Sequence, residues 1–258
     1  MKKIVLSFTF FSALSALTLA GEQSETKEAT APPACHEWSG FYVGGFGAYS
    51  YNTNDVDLQL TGAWTGFPTA RGVVGTEGQH DLDNSGGELG GLIGYNWQYH
   101  QCWVFGLEAD GGYLWGRKSR DSGLFDPGDG LPLLHTDTSI KTHYLTTVGF
   151  RVGHAWGNFL PYVTGGLAIG DSDFRQVISD APATFQQGGS KDNTDVGGMV
   201  GAGLQYALTK HWSLRGQYEF VDLGTFQFHH QTTDPSFGGT SEAKVHEHNF
   251  SLAVIFQF

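Results

Sequence analysis

The 258-residue chain contains 38 glycines, 14% aromatic residues and only 16% charged residues, and its formal net charge is −12. Abundant glycine, many aromatic side chains and few charges are unusual for a cytoplasmic enzyme and fit a thin-walled β-barrel. The acidic balance argues against nucleic acid as a partner, because nucleic-acid binding requires clusters of Lys and Arg.

The first 20 residues have the layout of an export signal. Two lysines precede an apolar run from Ile4 to Ala20, which ends in small residues suited to cleavage. The run lies at the lower edge of membrane-span length, so we expect a removed signal peptide over residues 1–20 and not an anchor. Residues 21–37 are polar and lack periodicity. We therefore predict a short periplasmic lead-in, followed by one barrel domain over residues 38–258.

Eight amphipathic segments follow the lead-in and are predicted to be β-strands. They span approximately residues 39–51, 87–99, 102–116, 139–155, 160–172, 195–208, 212–228 and 244–258. Long stretches rich in Gly, Asp and Pro (52–86, 117–138, 173–194 and 229–243) alternate with tight connections (99–101, 156–159 and 209–211). Outer-membrane barrels show this asymmetry of long extracellular loops and short periplasmic turns. The sequence therefore predicts an all-β fold, an eight-stranded antiparallel transmembrane β-barrel of a bacterial outer membrane.

The last predicted strand has one wholly apolar face, formed by Phe250, Leu252, Val254, Phe256 and Phe258. A barrel in the outer membrane needs a closing strand with lipid on one side and the lumen on the other. We predict that these five side chains face lipid and act as the signal through which the barrel-assembly machinery inserts the chain.

Charged side chains share the opposite face of several predicted strands. In the third predicted strand, Glu108 alternates with the apolar residues Phe105 and Leu107. The inward charged set comprises Glu88, Glu108, Asp110, Lys141, Arg151, Arg215 and Glu219. An eight-stranded barrel is narrow enough for side chains to fill, and buried charges require partners. We therefore expect a charge network that plugs the lumen, with a small or gated conductance as the alternative.

Four stretches of the chain resemble one family. Residues 38–45 (WSGFYVGG) are similar to the opening motif of the small opacity-type outer-membrane β-barrels, which include alphaproteobacterial surface immunogens and hemin-binding porin-like proteins. The other stretches are residues 149–153 with 160–168, residues 208–224, and the terminal Phe258. The resemblance covers residues 38–258 apart from the predicted outer loops. It implies an eight-stranded OmpA-type barrel, in a family whose functions are not uniform.

Three histidines are candidate ligands. Strand parity predicts that His230, His246 and His248 project outward at the extracellular ends of the last two strands. Their spacing is usable for a metal or haem iron, and the resemblance to hemin-binding proteins supports this hypothesis. The alternative is a set of polar groups at the level of the lipid headgroups, in which case no cofactor is needed.

The two cysteines are expected to lie close together. Cys35 precedes the first predicted strand and Cys102 follows the first tight turn, so both belong at the periplasmic rim. The oxidising periplasm permits a disulfide. From the sequence, a disulfide and two free thiols both remain open.

No catalytic motif is evident in the sequence. Ser119, Ser122 and His135 lie near Asp121 and Asp126, but such residues are common in acidic loops, and no Gly-x-Ser-x-Gly elbow is present. We predict a non-enzymatic protein with a structural and surface-interaction role, like an adhesin or immunogen. The expected partners are outer-membrane lipid, lipopolysaccharide, the assembly machinery and host or cell-surface ligands. The alternative function is that of a narrow porin or a haem-binding surface receptor.

Overall fold

The computed structural model describes residues 35–78, 84–100 and 102–258. The predicted signal peptide, residues 1–20, and residues 21–34 of the predicted lead-in lie outside the described residues. Within the described ranges, no helix is both long enough and apolar enough to cross a membrane.

Eight long strands form the wall of a closed barrel. They are β1 (Gly40–Gly62), β2 (Asn84–Tyr99), β3 (Trp103–Asp121), β4 (Leu134–His154), β5 (Phe159–Asp180), β6 (Gln186–Ala207), β7 (Trp212–His229) and β9 (Phe237–Gln257). A two-residue strand, β8 (Gln231–Thr232), pairs with β6. Neighbouring wall strands are antiparallel, and β1 pairs with β9, so the sheet closes on itself. The predicted eight-stranded antiparallel barrel is confirmed.

Side chains alternate between the two faces of the wall. On β3, Trp103, Phe105 and Leu107 are exposed, whereas Val104 and Glu108 are buried. A strand that separates lipid from a filled lumen requires this period of two. The alternation of exposed apolar side chains with buried ones therefore explains why these residues form strands of a barrel wall.

Aromatic side chains form two rings on the outer surface. The ring beside the tight turns contains Trp97, Tyr99, Trp103, Trp156, Phe159, Trp212 and Phe258. The opposite ring contains Tyr49, Tyr51, Tyr113, Trp115 and Tyr144. The stretch of β3 from Trp103 to Trp115 corresponds to about 30 Å along the barrel axis for a strand tilted by about 40°. This height matches the hydrocarbon core of a bilayer and identifies the membrane-spanning segments.

The strands continue beyond this band, and the connections are shorter than the sequence predicts. The stretch 173–194, predicted to be a loop, forms most of the β5–β6 hairpin, and only residues 181–185 connect the two strands. Above the membrane the outward positions of β5 are polar, as at Asp173 and Arg175, while Phe174 between them is buried. The strands were predicted from their apolar, lipid-facing side. A strand segment whose outer face contacts water lacks that side, so the sequence pattern did not indicate it.

Three β-bulges interrupt the ladders at the extracellular edge of the band. They lie between Tyr113 and Gly116, between Thr142 and Tyr144, and between Asp222 and Thr225. In the third, Gly224 has a φ of 81°, a backbone conformation that glycine adopts without strain. An inserted residue moves the following side chains to the opposite face. The inward positions therefore change from odd to even above the bulge on β4, from Leu145 to Thr138, and on β7, from Val221 to Phe228.

A cap closes the extracellular end of the barrel. It consists of a 3-10 turn (Ala63–Gly66), helix α1 (Pro68–Gly78) and the outer ends of the strands, which the sequence did not predict as structured. Its buried core contains Leu58, Leu60, Trp64, Ala70, Val74, Leu134 and Ile178, and Phe67, Phe125, Leu131, Phe185 and Phe237 pack against it. Asp129, from the β3–β4 connection, accepts a 2.9 Å hydrogen bond from the backbone N–H of Ala70 in the first turn of α1. A carboxylate is favourable at this helix end, where backbone N–H groups lack partners.

Candidate functional site

A charged cluster crosses the periplasmic half of the lumen. Nη1 of Arg215 on β7 donates to both carboxylate oxygens of Glu108 on β3, at 2.8 and 2.6 Å. Arg151 on β4 approaches the same carboxylate at 3.4 Å, and the Tyr42 hydroxyl donates to it at 2.7 Å. All four side chains are buried. Strands from four parts of the wall are thereby joined through one carboxylate, which we name the Glu108 cluster.

Aromatic and amide side chains surround Arg151. Its guanidinium carbon lies 5.0 Å from the centre of the Tyr42 ring and 4.7 Å from that of Tyr162. Nη2 of Arg151 donates to Oε1 of Gln205 at 3.0 Å, and the Tyr162 hydroxyl donates to Gln217. Cation–π contacts of this kind are stronger when they are desolvated, as they are here.

A carboxylate tier lies on the extracellular side of the Glu108 cluster and comprises Glu88, Asp110, Glu219 and Glu247. Asp110 accepts a 2.6 Å hydrogen bond from Thr147, and Glu88 accepts one from Asn249. Among the side chains that the structure describes, neither Lys nor Arg forms an ion pair with any member of the tier. The lumen is therefore more acidic here than the predicted network of paired charges would be.

An apolar layer packs across the lumen between the carboxylate tier and the cap. It consists of Val56, Leu114, Leu145, Ala168, Phe174, Met199, Val221, Leu223, Phe228, Ala243 and Val245. Together with the Glu108 cluster and the cap, this layer gives the lumen three successive barriers.

The structure brings only part of the predicted inward set together. Glu108, Arg151 and Arg215 meet in one cluster, and Glu88, Asp110 and Glu219 lie in the tier above it. The side chain of Lys141 lies outside the described residues. Sequence reasoning missed Tyr42, Tyr162, Gln205, Glu247 and Asn249, although strand parity could have identified each of them as inward.

The predicted outward placement of His230 is wrong. Its Nε2 lies 2.7 Å from Oγ of Ser241, a side chain that is fully buried on the inward face of β9. The bulge between Asp222 and Thr225 reverses the parity of β7, so residues beyond it face the side opposite to that predicted. His230 lies outside the membrane-spanning segments. Burial disfavours its charged form and lowers its pKa to about 4.

His246 and His248 lie on the outward face of β9, as predicted. Nδ1 of His248 lies 2.8 Å from the Tyr218 hydroxyl, and Nε2 of His246 lies 3.7 Å from Oδ1 of Asp222. The barrel wall separates both residues from His230, so the three imidazoles do not converge and do not fit a shared metal or haem iron. Within the described ranges, no group of three or more His, Cys, Asp or Glu side chains is arranged to hold a metal ion.

Cys35 and Cys102 form a disulfide, with their Cα atoms 5.7 Å apart. The bond ties the segment before β1 to the β2–β3 turn at the periplasmic end of the barrel. Beside it, Trp38 is fully buried in an apolar cluster with Val104, Ala155, Leu160 and Ala207. The periplasmic mouth is therefore closed by the chain that precedes the first strand.

The Ser, His and acidic residues of the β3–β4 region do not assemble as the sequence grouped them. Nδ1 of His135 lies 2.8 Å from Ser179 on β5, and its Nε2 lies 3.9 Å from Asp121, beyond hydrogen-bond range. The hydroxyl of Ser122 donates to a neighbouring backbone carbonyl. His135 therefore contacts Ser179, and not the serines with which the sequence grouped it.

The side chains of the predicted assembly signal lie on the outer surface of β9. Phe250, Leu252, Val254 and Phe258 are exposed, and Phe256 is half-buried, with its ring centre 5.0 Å from that of Trp212. The placement provides the apolar face that a lipid-facing closing strand needs. Its role as a signal stays a prediction.

Comparison with known proteins agrees with this architecture. A family model described as "Outer membrane protein beta-barrel domain" matches residues 7–258. The chain is 28% identical over 264 aligned residues to the 31 kDa outer-membrane immunogenic protein of Brucella melitensis, with 100% of both chains covered. It is 31% identical to the 22 kDa outer membrane protein of Rhizobium leguminosarum bv. viciae, covering 76% of this chain and 69% of that protein.

Solved structures of similar proteins include OprG from Pseudomonas aeruginosa, with a TM-score of 0.44, 12% identity and coverage of 87% of this chain and 98% of that chain. The resemblance predicted from the sequence motifs is confirmed by the family match and by the immunogenic relatives. The chain belongs to the outer-membrane β-barrel protein family and resides in the bacterial outer membrane.

Proposed function

We propose that the protein is a closed structural scaffold that presents an ordered binding surface to the cell exterior, in the manner of an adhesin or immunogen. The observation that carries the proposal is the combination of a filled lumen with a structured cap. The Glu108 cluster, the apolar layer and the cap occupy the lumen in succession, whereas the extracellular end is built as a packed unit with its own core. Such a molecule is suited to contacts at its outer surface.

The β3–β4 connection offers an exposed apolar part of that surface. Leu124 and Leu133 are exposed by 62% and 45% beside the cap, among acidic side chains such as Asp126. Exposed apolar side chains with a polar rim are typical of surfaces that bind another protein. We therefore propose a host or cell-surface protein as the ligand of this region, which we name the leucine tip.

Lipid and assembly partners follow from other surfaces. The aromatic rings and the apolar band contact membrane lipid, and the polar outward positions above the band lie at the level of lipopolysaccharide headgroups. The apolar face of β9 is the segment that we propose for recognition by the barrel-assembly machinery.

A narrow pore is the competing function. Conduction would require Arg215 and Arg151 to move away from Glu108, and it would also require the apolar layer and the cap to open. A haem receptor lacks support because the three candidate histidines do not converge. A catalytic role lacks support because His135 does not join a serine and a carboxylate within hydrogen-bond range.

The test has two arms. Purified protein is inserted into planar bilayers, where we expect no stable open current. Cells that display the protein are then compared with cells that display a Leu124→Asp, Leu133→Asp variant or a Thr65→Asp control at another exposed site of the cap. We expect the leucine variant to lose about tenfold or more in binding to host cells, the change that corresponds to about 1.4 kcal/mol. A stable current, or equal binding by parent and leucine variant, would contradict the proposal.

A further inference from the structure

A small cavity lies inside the lumen at the level of the carboxylate tier. Its volume is about 10 Å³, and Asp110, Gln217, Glu219, Asn249 and Ser251 contribute to its lining. A cavity of this size holds one water molecule or one bare ion and nothing larger.

Two acceptor atoms of the lining lack partners. Oε1 of Glu219 and Oδ1 of Asn249 are buried and have no hydrogen-bond partner in the part of the chain that the structure describes. The two residues are only 5% and 4% exposed. Nδ2 of Asn249 donates a hydrogen bond to Glu88, which fixes the orientation of the amide and leaves its oxygen, Oδ1, without that partner. The amide oxygen of Asn249 can only accept, and so can the Glu219 carboxylate when it is ionised, so whatever lies between them is then a donor or a cation.

The charge balance of the lumen favours a cation. Glu88, Glu108, Asp110, Glu219 and Glu247 point inward, whereas Arg151 and Arg215 are the inward basic residues whose side chains are described. Both arginines bind Glu108. Arg215 also borders the cavity, but its charge is shared with the Glu108 carboxylate at 2.6 Å. The remaining carboxylates need either a bound proton or another positive partner, since burying unpaired charges costs several kcal/mol each on the usual scale.

We propose that the cavity binds a single Ca²⁺ ion through the oxygens of Asp110, Glu219 and Asn249, with the Ser251 hydroxyl as a further ligand. Two carboxylates match a divalent charge, and amide and hydroxyl oxygens are hard ligands that Ca²⁺ accepts in flexible geometry. Mg²⁺ retains several waters when it binds to proteins, and the cavity has no room for them. The ion would join β3, β7 and β9 within the lumen.

The experiment measures heat-driven unfolding of the full barrel in detergent micelles, by the change in gel mobility. The protein is first stripped with a chelator, then titrated with Ca²⁺, Mg²⁺ or Na⁺. At a Ca²⁺ concentration of 100 times its Kd, we expect the ratio of folded to unfolded protein to rise about 100-fold. A Glu219→Gln variant should lose this response. The matched control is Glu247→Gln, which removes a buried lumen carboxylate outside the cavity and should keep the response.

Four outcomes would overturn the proposal. Stability that does not depend on any of the three cations would indicate that protons or water satisfy the tier. An equal response to Mg²⁺ and Ca²⁺ would contradict the size argument, and a response retained by Glu219→Gln would place the ion elsewhere. Should Glu219→Gln fail to fold, Asp110→Asn provides the second test: it should bind Ca²⁺ more weakly, and unchanged binding would contradict the assigned ligands.

Discussion

Replacing Arg215 by alanine should destabilise the barrel more than replacing Arg151, the other arginine of the Glu108 cluster. The variant removes the two hydrogen bonds of 2.6 and 2.8 Å and leaves Glu108 with the Tyr42 hydroxyl and the 3.4 Å contact to Arg151. Removing one partner of a buried ion pair costs about 3–5 kcal/mol. The ratio of folded to unfolded protein should therefore fall by a factor of about 100 to 4,000, at about 1.4 kcal/mol per tenfold change.

The matched variant Arg151→Ala should have a smaller effect, because Glu108 keeps its closer partner. The variant loses the bond to Gln205 and two cation–π contacts, worth about 2–3 kcal/mol together. A triple variant with leucine in place of Glu108, Arg151 and Arg215 should recover much of the loss, because well-packed apolar residues often replace a buried ionic group at little cost. Urea unfolding in lipid vesicles, followed by tryptophan fluorescence and gel mobility, measures all three. Equal stability of Arg215→Ala and parent, or a triple variant less stable than Arg215→Ala, would refute this account of the cluster.

Three other predictions concern separate parts of the molecule. Phe258→Asp should leave the chain in the periplasm for proteases to remove, as measured by outer-membrane fractionation, and normal membrane levels would count against an assembly role for the lipid-facing end of β9. The hydrogen bond from the Ala70 N–H lowers the pKa of Asp129, so the stabilisation of the cap by Asp129 should be present at neutral pH and disappear as the pH falls through that lowered pKa. Amide hydrogen exchange of α1 should therefore accelerate in acid for the parent and already be fast at neutral pH for Asp129→Ala. Burial lowers the pKa of His230 to about 4, so between pH 6.5 and 4 the unfolded chain binds a proton that the folded chain does not, and stability should decrease as the pH falls through this range. In urea titrations, the free energy of unfolding should differ less between pH 7 and pH 5 for His230→Gln than for the parent. An equal difference would exclude this histidine as the cause.

The part of the fold that lies in the membrane could be predicted from the sequence because lipid imposes a pattern there. Trp103, Phe105 and Leu107 alternate with Val104 and Glu108, and this alternation indicates both the strand and its orientation. Above the membrane the same strands face water on the outside, so the outward positions become polar. Stretches such as 173–194 then resemble loops, although most of their residues lie in strands.

The candidate site depended on features that parity alone does not reveal. Glu108 and Arg151 were predicted to meet because they lie on neighbouring strands with inward parity, but Arg215 comes from β7, across the lumen, and no local pattern indicates that it supplies the closer contact. His230 was misplaced because a single bulged residue near Gly224 reverses the face of everything that follows. Bulge positions depend on the fit between two strands, which one strand's sequence does not contain.

The closure of the sheet by β1 and β9 imposes an order on folding. Tyr42 pairs with Gln257, so the last ladder of the wall joins residues from opposite ends of the chain and has a very high contact order. Loop closure over such distances is slow, and the ladder cannot form before the C-terminal strand has been exported. The disulfide between Cys35 and Cys102, by contrast, needs only the first two strands and the turn after them. An oxidised N-terminal hairpin can therefore form while most of the chain is still unpaired, which gives chaperones and assembly factors a partly folded intermediate with exposed strand edges to protect.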